Sequence, residues 1–146
     1  MFEGQRREQL RFMYYESWRK HQAGLALLPL EAQIAALIVR HPEYQALLSD
    51  REQTLNAEFG PDDAQQNPFL HLGLHLAVQE QLATDRPPGV RALYQQLLAR
   101  WGEHQAEHIA MECLGTCLWE AQRRQQLPDH AAYLACLRTQ LARVTH

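Results

Sequence analysis

The stretch Asn67-Pro68-Phe69-Leu70-His71-Leu72-Gly73-Leu74-His75-Leu76-Ala77-Val78-Gln79-Glu80-Gln81-Leu82-Ala83-Thr84 decides the fold. Its polar and apolar residues recur at the helical period, not in alternation. Asn67 is a favoured helix cap, and Pro68 stands at the first helical position, where its missing N–H costs nothing. Spaced about 100° apart around a helix axis, Gly73, Glu80 and Thr84 fall on one side, with Gln81 beside them. His71, His75, Val78 and Leu82 fall opposite. The stretch therefore predicts an amphipathic helix whose inward face carries two histidines one turn apart, with Glu80 turned away from them.

Outward from this segment the chain keeps the same character. Alanine, leucine, glutamine, glutamate and arginine dominate, all good helix formers, and no segment alternates as a half-buried strand does. Five helices are expected. The first runs from about Gln5 to His21 and ends near Gly24. The second starts at Pro29 and ends before Pro42, followed by a short continuation over Glu43 to Leu48. Ser49 to Gln66, with Gly60-Pro61, reads as a loop. The third helix ends near Thr84, before Arg86-Pro87-Pro88-Gly89. The fourth is read as one long helix from Val90 to Arg124, and the fifth follows Pro128-Asp129 to about Ala142. The expected fold is all-α. It is read as one domain over residues 1–146, a bundle of four main helices with a C-terminal helix packed on it.

Composition excludes several classes of function. The chain has 146 residues, 14 basic and 17 acidic, and a formal charge of −3. No basic stripe is available for nucleic acid, and Arg6, Arg7, Arg11, Arg19 and Lys20 spread around the first helix. The N-terminal Met1 to Glu8 lacks the apolar run of a signal peptide, and no apolar run approaches membrane length. Cys113 and Cys117 lie four apart on a helix, where they cannot readily reach disulfide geometry. Reduced thiols and a cytoplasmic setting are therefore expected. A protein partner or a second copy of the chain is left open.

The polar residues on apolar faces are the functional signal. In the fourth helix, Val90, Leu93, Tyr94, Leu97 and Trp101 define a stripe. Continued as one helix, it carries His104, His108, Met111, Glu112 and Trp119, with Glu103 and Glu107 on the polar flank. A second strip of small residues, Ala106, Ala110, Cys113, Cys117 and Ala121, suggests close approach of another helix, the fifth being the candidate. In the second helix Leu30, Ile34, Leu37, Ile38 and His41 share the apolar face, with Glu31 at its edge. His41 and His21 read as capping or core-edge residues. Trp18, Trp101 and Trp119 read as core filling, and His130 and His146 as exposed.

Buried without partners, such groups cost about 1–3 kcal/mol each. A metal ion would satisfy them, since imidazole nitrogen and carboxylate oxygen bind zinc at about 2.0–2.2 Å. Histidines four apart on one face are a usual way to supply two ligands. The expected ligands are His71, His75, His108 and Glu112. His104 is a further candidate, and Glu31 is either a ligand or a proton acceptor for one. Zinc or iron suits this set. The competing reading is an interaction or scaffold protein whose hydrogen-bonded polar core needs no ion. No His-Glu-x-x-His, no Glu-x-x-His, no phosphate-binding glycine loop and no nucleophile elbow is present, so whether the chain is an enzyme stays open.

A combination of short stretches carries a resemblance. These are Pro29-Leu30-Glu31, His41-Pro42-Glu43-Tyr44, Asn67-Pro68-Phe69-Leu70-His71 with His75, Glu107-His108 with Met111-Glu112-Cys113-Leu114, and Trp119 with Ala121-Gln122-Arg123. Together the chain resembles a proteobacterial family catalogued as domain of unknown function 1841, from the first helix to Tyr133-Leu134. The resemblance implies a bacterial, single-domain helical protein and brings no catalytic residues with it.

Overall fold

The computed structural model describes residues 2–59 and 67–143, with side chains from Gln5 onward. The described residues form eight α-helices and one 3-10 turn, with no strand. The helices are α1 (Phe2–Gln22), α2 (Pro29–Val39), α3 (Gln45–Leu48), α4 (Arg51–Asn56), α5 (Pro68–Thr84), α6 (Val90–Trp101), α7 (Glu103–Arg123) and α8 (His130–Ala142). The turn, Pro42–Tyr44, leads into α3. Gly60-Pro61 and His146 lie outside the described residues.

Two compact units divide the chain, Met1–Gly73 and Leu74–His146, with the boundary inside α5. In the first unit α1 packs on α2 and α4. Tyr14 and Trp18 from α1 and Ile34, Ala35, Leu37 and Ile38 from α2 are buried. Leu30, expected on the same face of α2, is exposed. The expected loop after Ser49 holds the extra helix α4. Its start is local chemistry: the Asp50 carboxylate accepts the Gln53 N–H at 3.0 Å, a standard N-cap bond. At the other end of α4, Arg11 is only 5% exposed and donates to the carbonyls of Thr54, Leu55 and Ala57. A cation there satisfies acceptors that a helix C-terminus leaves over.

In the second unit α6, α7 and α8 pack on one another. Their core joins Val90, Leu93 and Leu97 to Ala106, Ala110, Met111, Leu114, Tyr133 and Leu137, with Val78 from α5. The small-residue strip of α7 is the packed face, and α8 is its neighbour. Cys113 and Cys136 form a disulfide between these helices. This corrects the expectation of reduced thiols. Cys113 cannot pair with Cys117 on its own helix, but α8 brings Cys136 to a Cα–Cα distance of 5.8 Å, within bonding range.

The long fourth helix is also corrected. It is two helices broken at Gly102, whose φ of 84° and ψ of 165° are non-helical. The break resets the rotational phase, so the stripe of α6 does not continue down α7. Glu107 is buried, while His104, Glu112 and Trp119 are exposed. Asp129 caps α8 by accepting the Ala132 N–H at 3.1 Å, and the helix follows Pro128-Asp129 as expected.

Candidate metal centre

His41 follows α2 at the point where the helix leaves carbonyls without partners. Its Nδ1 lies 2.7 Å from the Leu37 carbonyl, one turn back. A carbonyl only accepts, so Nδ1 carries the proton and Nε2 keeps the ring's lone pair. The ring is buried, stacks on Tyr44 with centroids 5.2 Å apart, and meets the His71 ring edge-on at 5.0 Å. The Nε2 atoms of His41 and His71 are 3.2 Å apart. That distance suits a hydrogen bond. It also matches the separation of about 3.3 Å that a tetrahedral zinc imposes on two nitrogens about 2.0–2.1 Å from it.

His71 and His75 sit one turn apart on α5, so the helix itself sets their spacing. His75 is fully buried, as its position opposite Glu80 implies. Its Nδ1 lies 2.5 Å from Oε1 of Glu107. With a carboxylate as its partner, Nδ1 is the donor of this bond. A carboxylate behind a histidine is the usual orienting contact of a metal ligand. With His41, the two α5 histidines offer ring nitrogens that all lie within 4.8 Å of one another.

His108 is half-buried. Its Nδ1 donates to the His104 carbonyl at 2.8 Å, which leaves the lone pair on Nε2. Its ring meets that of His75 at 5.4 Å and 87°. Of the α7 row expected to point inward, His108 therefore does reach His75. His104 stacks on His108 from outside at 4.4 Å and is exposed, as is Glu112. Glu31 is engaged elsewhere: it accepts from Lys20 Nζ and from the Leu28 backbone N–H, each at 2.8 Å. The lysine contact first, and then the backbone bond, hold its carboxyl below the usual range. Among the described residues, the histidine cluster includes none of His104, His108, Glu112 and Glu31.

Sequence reasoning missed two groups, His41 as a cluster member and Glu107 as an orienting group. His41, just beyond the end of α2, reads from the sequence as a capping or core-edge residue on that helix's apolar face. Glu107 was legible only with Gly102 taken as a break. The small strip then sets the phase of α7, and Glu107 falls beside Ala110 and Leu114, three and seven residues on.

No curated protein and no solved structure matches the chain. One family model does, over residues 6–139, which is most of the chain. The chain therefore belongs to the family described as domain of unknown function (DUF1841).

Proposed function

We propose that this is a metal-binding helical protein whose site is built on His41, His71 and His75, with Glu107 orienting His75. The observation that carries this reading is the 3.2 Å spacing of the His41 and His71 Nε2 atoms, with His75 one helical turn further along. His41 and His75 already commit Nδ1 to an acceptor, which prepares Nε2 for an ion. Zinc or iron(II) suits imidazole donors. Three protein ligands leave a fourth position for water or a small ligand, the arrangement of sites in which a metal activates water. His108, lying against His75, is the side chain proposed to fill that position when no such ligand is bound.

Metal content of untagged protein, purified without chelator, tests the reading. About one equivalent of ion is expected, with a melting temperature that falls on chelation and recovers on adding zinc or iron(II). A His41→Ala, His71→Ala variant should bind no ion and ignore the chelator. A second reading is favoured by the buried His75–Glu107 bond, which pairs Nδ1 with Oε1 without an ion. Here the polar core is structural, and the chain is an interaction or scaffold protein. Wild type without stoichiometric metal, and with a melt indifferent to chelator and added ion, establishes that reading instead.

No described helix is long and apolar enough to cross a membrane. The cytoplasmic setting proposed from composition meets an opposing observation in the Cys113–Cys136 disulfide, because such bonds persist in oxidising compartments. Thiol counting on native-source protein, unfolded without reductant, decides between them: three reactive thiols for a reducing compartment, one for an oxidising one.

A further inference from the structure

All three cysteines belong to the second unit. Cys113 is bonded to Cys136 and is only 2% exposed. Cys136 is half-exposed, and so is the free thiol of Cys117. Both Cys117 and Cys136 line one cavity of about 360 Å³, together with Glu120, Arg124, Leu127 and Asp129. That volume falls in the range of small-molecule sites. The cavity is thus lined both by one half of the disulfide and by the free cysteine found among the described residues. On α7, Cys117 and Cys113 are neighbours one turn apart, and the partner of Cys113 lines the same cavity as Cys117.

We propose that the Cys113–Cys136 disulfide is an exchange site, at which Cys117, or a low-molecular-weight thiol entering the cavity, takes Cys136 and releases Cys113. In the internal step Cys117 loses its proton to solvent, and its sulfur attacks Sγ of Cys136. The bond to Cys113 breaks, its electron pair leaves with the Cys113 sulfur, and that sulfur takes up a proton. One disulfide is replaced by another, with no net oxidation. In the external step a small thiolate forms a mixed disulfide with Cys136 and releases Cys113 as a thiol. Cys117 then displaces the small thiol. Attack falls on Cys136 because exchange requires access to the sulfur attacked, and Cys113 is covered. Burial first, and the Asp129 carboxylate second, push the Cys117 thiol up.

The test uses the whole chain, purified without reductant, exposed to substoichiometric reduced glutathione, quenched in acid, alkylated and mapped by mass spectrometry. A Cys117–Cys136 peptide is expected to appear in wild type. It should be lost in Cys117→Ser, where a glutathione adduct on Cys136 accumulates instead. Recovery of Cys113–Cys136 alone at every time, with Cys117 fully alkylated, overturns the proposal. So does a purified protein in which all three thiols are alkylated before any treatment. Cys113→Ser should form Cys117–Cys136 with oxidised glutathione, provided circular dichroism shows it folded. The wild-type map decides the question whether or not that variant folds.

Discussion

Glu107 determines what His75 can do. Its carboxylate holds the proton of His75 on Nδ1 at 2.5 Å, inside a buried site. Glu107→Gln retains an acceptor but removes the charge, and loss of such an orienting contact typically costs 10–100-fold in metal affinity. We expect a drop of that size in zinc titrations with a competing chelator. Unchanged affinity would detach Glu107 from the metal site. Glu107→Ala strands the Nδ1–H and should cost about 1–3 kcal/mol of stability, read from urea midpoints, under either functional reading. Glu31 illustrates a surface carboxylate with a structural task. Lys20 and the Leu28 N–H lower its pKa, so its stabilising contribution is present at neutral pH. That contribution disappears as pH falls through the depressed folded value. The melting-temperature gap between wild type and Glu31→Gln should therefore be open at pH 7 and close under strong acid. A gap that persists there would mean that packing, not charge, is responsible.

Among the elements, the break between α6 and α7 has the largest consequence. Gly102 adopts a φ of 84° with ψ of 165°, a region that is essentially glycine-only. A Cβ at this position would meet nothing within 4 Å, so a substitution acts through the backbone alone. Gly102→Ala should destabilise by about 1–3 kcal/mol, measured as a shifted urea midpoint with unchanged slope. Because this break sets the phase of α7, the variant should also weaken the His75–Glu107 contact. Slower nitrogen-bound proton exchange, or no change at all, on His75 by NMR would contradict that link. The caps are simpler elements. Asp50, Asn67 and Asp129 each accept a first-turn N–H; of these the sequence marks Asn67 as a cap, whereas Asp50 falls in the stretch expected to be a loop.

For the whole molecule, the boundary between the two compact units falls between Gly73 and Leu74, within the continuous helix α5. Neither unit can unfold alone without breaking this helix, which carries His71 and His75. A single cooperative urea transition is expected, with helix circular dichroism coinciding with fluorescence of Trp18 in the first unit and of Trp101 in the second, each isolated by replacing the other tryptophans with phenylalanine. Offset transitions would show two independent folding units. The all-α class, the helix starts at Pro29, Pro68 and His130, and the burial of His75 were determined by the sequence alone. Capping and helical periodicity act within a turn or two of chain, so each segment carries that information itself. The tertiary structure alone decided that His41 meets His71, that Glu107 reaches His75 and that Cys136 bonds Cys113, pairs 30, 32 and 23 residues apart. Such pairings depend on how each helix is rotated against its neighbour. A one-residue change of phase is about 100°, enough to exchange Glu107 for His108 on the buried face.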